Sequence, residues 1–300
     1  LSKSDIDINK AYDDGATSLF VASQNNHIEV VKLLLQRNDI DVNLAMLNGA
    51  TPLIIGTYLG HFDVIQELIT IKNDDLDFSL TFDNKTAAQY AADPGNAKVE
   101  SWAFLDDKID LDGRHNCLTL LNEYTNSASL SHVSAGETKS YEGVSDQEFE
   151  KVLIACGKGQ MKKLKQFLKK HKGQINRTNS HGATLLYTAC YYCQMKAIKL
   201  LLKQDGVQVN RASNDGASPL YVASERGHTK VVRLLLSKSD IDINKAEEEG
   251  CTALFIAAQF GHVEVVRLLL SKSDIDINKA MKDGCTALYV ASNEGHVEVV

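Results

Sequence analysis

A chain of 300 residues that is 44% hydrophobic and 24% charged, with a net charge of -7, is too apolar and too nearly balanced to be a disordered polymer. It is long enough for one large core or two ordinary domains. No apolar run approaches the roughly 20 residues that a membrane helix needs, and the stripe from Val265 to Leu270 carries Arg267 inside it. Three prolines in the whole chain favour long helical content over a loop-rich architecture.

The chain opens on Leu1 rather than Met and closes in mid-pattern at Val300, which predicts a piece of a longer protein whose targeting signals are not visible. Six cysteines, at 117, 156, 190, 193, 251 and 285, are too sparse for a disulfide-stapled secreted domain. A reducing compartment is expected, the cytoplasm first and the nucleus second.

Leu1 to Ala11 reads LSKSDIDINKA, and the same eleven residues recur unchanged at Leu236 to Ala246 and Leu270 to Ala280, a spacing of 34. Such a period is the signature of a repeat array. In chain order, units are expected near 11–44 and 45–79, with a degenerate one at 80–112. In that degenerate unit Thr86 to Ala92 and Ala97 to Leu105 would be the helices and Ile109 to Asp112 the tail. A half unit at 113–124 completes a first stack over 1–124. Residues 125–144, rich in Ser, Thr and Gly, read as a linker or insertion. A second stack covers 145–300. It has a capping unit at 145–177, full units at 178–211, 212–245 and 246–279, and a truncated one at 280–300. One continuous stack is the alternative, because Thr86 to Thr184 spans close to three units.

The unit from Ala246 to Lys279 shows the local logic. Gly250 suits a turn, Thr252 a helix N-cap, and Leu254 to Ala258 a first helix whose alanines let a neighbouring backbone approach. Pro52 and Pro219 stand at the first helical position of their units, where a missing N–H costs nothing. Gly261-His262 breaks the helix, and Val263 to Leu270 form a second one with a wide apolar face. At roughly 1.5–3 kcal/mol per buried aliphatic side chain, that face must be covered, and identical pairs stacked side by side cover it. The capping unit restarts with Ser145-Asp146-Gln147-Glu148, the form of a capping box.

These residues resemble a known family. TPLIIG at 51–56, SPLYVA at 218–223 and TALFIA at 252–257 are similar to the T-P-L-H-x-A signature of ankyrin repeats, followed by Gly-His, a V-V-x-L-L-L helix and a D-V-N-like tail. The resemblance implies an all-α solenoid of stacked helix-turn-helix units with turn or hairpin fingers. It departs from the pattern in two ways. The signature histidine is Phe20, Ile54, Tyr187, Tyr221, Phe255 or Tyr289, so packing must replace its hydrogen bonds. The unit is also one residue longer than the usual 33, with Ser271-Lys272-Ser273 where a glycine stop often stands.

Candidate chemistry is sparse. His27, His61, His228, His262 and His296 share one place in the repeat, and stacked helices ~8–10 Å apart cannot bring equivalent places to one zinc. They read as helix-start histidines bonding nearby backbone. The same spacing disfavours a Cys251–Cys285 disulfide. Cys190-x-x-Cys193 lies at a helix end, outside the α/β context of a redox motif. Gly157-Lys158-Gly159 lacks the phosphate-loop spacing. The glycosylation-like patterns at Asn84 and Asn176 are short enough to arise by chance. No catalytic, metal or cofactor site is expected, and no enzyme activity.

The places that vary while the scaffold stays fixed are the turn tips and the first-helix ends. The resemblance places both along a concave groove. Candidate partner contacts are Tyr58, Leu59, Tyr191, Tyr192, Glu225, Arg226, Gln259, Phe260, Asn293 and Glu294 at helix ends, with Asp215, Glu248, Glu249 and Lys282 at tips. A protein-binding adaptor, monomeric and without nucleic acid, is the expected function. The alternative is the targeting arm of a larger enzyme, such as a kinase or ubiquitin ligase, or of a channel; a third is a mainly elastic or spacer role. Residues 1–112 carry a net charge of -11 and residues 145–300 one of +5. Much of the basic excess lies between Lys158 and Lys172, beside the buried face of Met161, Leu164, Phe167 and Leu168. That stretch reads as a solvated cap face, with a patch for an acidic partner, a phosphoinositide or a nucleic acid as its second reading.

Overall fold

The computed structural model describes residues 5–72, 75–88 and 145–300. Among them are thirteen α-helices. They are α1 (Ser18–Gln24), α2 (Ile28–Leu35), α3 (Pro52–Leu59), α4 (Phe62–Lys72), α5 (Asp146–Gly157), α6 (Met161–Lys170), α7 (Leu185–Tyr191), α8 (Met195–Leu201), α9 (Pro219–Glu225), α10 (Thr229–Leu235), α11 (Ala253–Gln259), α12 (Val263–Leu270) and α13 (Ala287–Asn293). A two-stranded antiparallel hairpin, β1 (Thr81–Phe82) and β2 (Lys85–Thr86), turns through Asp83 and Asn84, both at positive φ. Asp and Asn tolerate that region and match the twist of a two-residue hairpin loop. Thr86 thus ends a finger, and of the degenerate unit only Ala87 and Ala88 continue beyond it. The rest of that unit, the half unit at 113–124 and the linker at 125–144 lie outside the described residues.

Each first helix starts on a hydroxyl that caps it. Thr17, Thr51, Thr184, Ser218, Thr252 and Thr286 each accept from the backbone N–H three residues on, at 3.0–3.2 Å. Pro52 and Pro219 occupy the first turn as expected. Ser145 caps α5 in the same way, with Glu148 N donating to Ser145 Oγ at 3.2 Å. The capping box is half made, because the Glu148 carboxylate turns to Lys170 and His171 instead of its own N-cap backbone.

First helices stack in one row and second helices in another. Helix α5 packs on α7, α7 on α9, α9 on α11 and α11 on α13. The row then continues out of sequence order: α13 packs on α1, and α1 on α3. The joint between residues 280–300 and 5–44 repeats, bond for bond, the joint between consecutive units. Asp7 N donates to Asn278 Oδ1 (2.8 Å) and Asn278 Nδ2 to Asp5 O (2.7 Å). One unit earlier, Asp276 N donates to Asn244 Oδ1 (2.8 Å) and Asn244 Nδ2 to Asp274 O (2.7 Å). Lys10 Nζ reaches Asn278 O as Lys279 Nζ reaches Asn244 O. At the turn tips, Asp13 N donates to Asp283 O as Lys282 N donates to Glu249 O, each at 2.9 Å.

The core is a ribbon of aliphatic side chains between the two rows. It forms one cluster over residues 149–291 and another over 8–87, and Tyr12, Tyr289 and Val300 pack against both. Tyr12 and Tyr289 stack across the joint with ring centroids 5.5 Å apart. A cavity of about 260 Å³ lies at the joint among Ile6, Leu33, Leu254, Val266, Leu288 and Val300.

Candidate functional site

The lattice histidines hold the first-helix ends in line. His228 Nε2 donates to Tyr191 O (3.1 Å), His262 Nε2 to Glu225 O (2.8 Å) and His296 Nε2 to Gln259 O (2.9 Å). The acceptor is a carbonyl, so the ring nitrogen must carry the proton. Across the joint, His27 Nε2 donates to Asn293 O at 3.0 Å, and further on His61 Nδ1 donates to Ser23 O at 2.9 Å. The backbone bond anticipated for these residues is therefore present, and its partner lies in the preceding unit. Close fit maintains the arrangement. Gly261 sits at φ +66, and a Cβ there would come within 2.8 Å of the His296 ring. Cys193 replaces this glycine at φ +55 and is exposed.

The result is one row of helix ends. It runs from Tyr191 and Tyr192 through Glu225 and Arg226, Gln259 and Phe260, Asn293 and Glu294, then Gln24 and Asn25, to Tyr58 and Leu59. The joint is what brings Tyr58 and Leu59, far from Tyr191 in sequence, into the same row. Within it, Tyr192 is 56% and Phe260 53% exposed, unusual for such large apolar surfaces. The Arg226 guanidinium lies over the Tyr191 ring, 4.2 Å from its centroid, and bonds its hydroxyl. Tyr191 meets Tyr192 edge to face at 4.9 Å. These contacts preorder the ring of Tyr191 and leave Tyr192 to solvent. Tyr58 and Leu59 are half-buried against the core.

The tips form a second row. Glu248 N donates to Asp215 O (3.3 Å), and Lys282 continues the ladder from Glu249, which it also meets side chain to side chain at 3.4 Å. Asp215, Glu248, Glu249 and Lys282 are all exposed. Sequence reasoning found both rows from their variability. Gln24 and Asn25 are among the variable helix ends as well, but that the Asn25 amide tethers α1 to Asn293 was not foreseen, because no local motif marks that bond.

At the signature-histidine place, Phe20, Ile54 and Phe255 are buried, so packing replaces the hydrogen bond there as expected. Tyr221 keeps a polar contact, its hydroxyl lying 3.6 Å from Cys251 Sγ. Burial pushes the Cys156, Cys251 and Cys285 thiols up to about 12, and raises Cys190 as well. All the cysteines among the described residues are free, and Cys190 is buried in α7 while Cys193 faces solvent. Among the described residues no three His, Cys, Asp or Glu side chains are grouped to hold a metal ion. No described helix is long and apolar enough to cross a membrane.

A comparison with protein-family models matches "Ankyrin repeats (3 copies)" at residues 1–81, 152–247 and 242–300, well over half of the chain. The chain belongs to the ankyrin-repeat family. A search of curated proteins finds no match. Ankyrin repeats generally serve as protein–protein interaction modules without catalytic activity of their own. The two rows of this ankyrin array, helix ends and tips, are two of the places where its side chains depart from the lattice.

Proposed function

We propose that this chain is a non-catalytic adaptor, acting as a monomer in a reducing compartment, that holds a partner protein against its row of first-helix ends and turn tips. The observation that carries the reading is the contrast between scaffold and row. Caps, histidines and asparagines repeat from unit to unit, whereas helix-end side chains change in every unit and include the exposed rings of Tyr192 and Phe260. Aromatic residues and Arg dominate binding hot spots, and Tyr191, Tyr192, Arg226 and Phe260 stand in three consecutive units. The histidine bonds make the surface rigid before binding, so little ordering entropy is lost when a partner docks.

The test is affinity capture with the full chain and with a Tyr191→Ala, Tyr192→Ala, Phe260→Ala variant shown to be folded by circular dichroism. The reading expects specific proteins recovered by the parent and lost with the variant. Recovery of the same proteins by both would refute it.

A further inference from the structure

The second helices carry a charge pattern that the repeat makes legible. At the lattice place of Lys162, the following units have Lys196 and Lys230, then Glu264, Glu298, Glu29 and Asp63. Three residues further along each helix come Lys165, Lys199 and Arg233, and later Arg267 and Lys32. A third column begins with Lys169 and Lys203. In the later units the pattern neutralises itself: Glu264 pairs with Arg267 at 3.8 Å and Glu29 with Lys32 at 2.9 Å. In the first three units lysine replaces that glutamate. No acidic residue stands on α6, α8 or α10, all eight cations are exposed, and among the described residues none of the eight is in an ion pair. Helix α6 packs on α8, and Lys238 Nζ joins the end of the α10 unit to Leu202 O at the end of α8.

We propose that this outer face of α6, α8 and α10 docks on an anionic lipid surface. Two columns of three cations on α6, α8 and α10, extended by Lys169 and by Lys203 just past α8, make a two-dimensional grid of charge with helices roughly 8–10 Å apart. A membrane leaflet presents charge in two dimensions, whereas a single acidic peptide or nucleic-acid strand would cover one line of the grid. Seven of the eight cations are lysines, hydrated point charges that suit a diffuse anionic surface, where arginine forks would suit fixed phosphates. The exposed positions of these helices also lack the aromatic rings on which single-stranded bases stack. The grid lies on the second helices and the partner row on the first, so both surfaces can be engaged together.

The test is co-sedimentation of the full chain with vesicles of phosphatidylcholine alone and with about 30 mol % phosphatidylserine added. The variant is Lys162→Glu, Lys196→Glu, Lys230→Glu, which installs at each place the type found at Glu264 and Glu29 and so fits the lattice. A control with the same change in net charge is Lys151→Glu, Lys245→Glu, Lys272→Glu, none of them on the grid or in the partner rows. Binding is expected only with phosphatidylserine, weakened about tenfold or more by the grid variant and by raising salt to about 0.5 M, and little changed by the control. Equal binding to both vesicle types, an equal loss in the control, or retention on immobilised polyuridylate without vesicle binding would overturn the proposal.

Discussion

The side-chain amide of Asn25 donates to both the backbone carbonyl and the side-chain oxygen of Asn293, 268 positions away, at 3.0 Å each. This pair sits where the array passes from its last helix in sequence to its first. His27, two residues on, makes with Asn293 the Nε2 bond that His228, His262 and His296 each make with the preceding unit. The joint is therefore an ordinary unit boundary made between residues from opposite ends of the chain.

If the asparagine staples hold units together, Asn244→Ala and Asn278→Ala should each cost about 1–2 kcal/mol, since each removes two hydrogen bonds to the next unit. Urea unfolding monitored by circular dichroism measures both. No change in midpoint for Asn278→Ala would show that the joint adds nothing to stability.

Loss of the cap at Thr252 should be felt locally and modestly. Thr252→Ala leaves the Phe255 N–H without its acceptor and is expected to cost about 1 kcal/mol. Thr252→Ser should recover most of it, and a Thr252→Ser variant as unstable as Thr252→Ala would mean that the lost methyl packing, not the hydroxyl, matters.

Fold elements set by short-range chemistry were legible in the sequence. Thr252 and Pro219 announce helix starts because a cap or a missing N–H acts within one turn, and the 34-residue period exposes the lattice directly. The helix-end and tip residues were legible as the places that vary between units. The adjacency of Asn25 and Asn293 was not legible, since near-identical units make any two unit faces complementary and the sequence ranks none of them. The half-made capping box at Ser145 was misjudged for a related reason: Glu148 has a competing salt bridge from Lys170, 22 residues on. The basic stretch was read along one helix as a cap face, while its continuation at Lys196, Lys199 and Lys230 shows only when units are read across.

The thiols should divide sharply. In a Cys117→Ser background, Cys193 is expected to react with an aromatic disulfide reagent near pH 8 while Cys156, Cys190, Cys251 and Cys285 stay protected until the chain unfolds. Because burial raises the Cys156, Cys251 and Cys285 thiols from 9.0 to about 12, the native state holds protons there that the unfolded state releases. The contribution of these thiols to stability should thus be level below about pH 9 and fall as pH rises from there towards 12. Thermal melts across that range check the sign; rising stability would contradict it.

The cavity at the joint predicts where the array opens first. Backbone amides of α13, which lines the cavity through Ala287 and Leu288, should exchange with deuterium sooner than those of α7 and α9, which do not line it. Uniform protection along the first helices would argue that the void costs nothing.

Everything in the proposed function that joins Tyr58 to Tyr191 depends on α13 lying beside α1. The most direct measurement is a spin-label distance between Glu29→Cys and Glu298→Cys, both exposed and one lattice step apart across the joint, in a Cys117→Ser, Cys193→Ser background. Units stacked at the ~8–10 Å spacing of packed helices place the labels within roughly 20 Å of each other, in one narrow distribution at every protein concentration. A broad distribution at long distance, or a short one that appears only when protein is concentrated, would contradict the account.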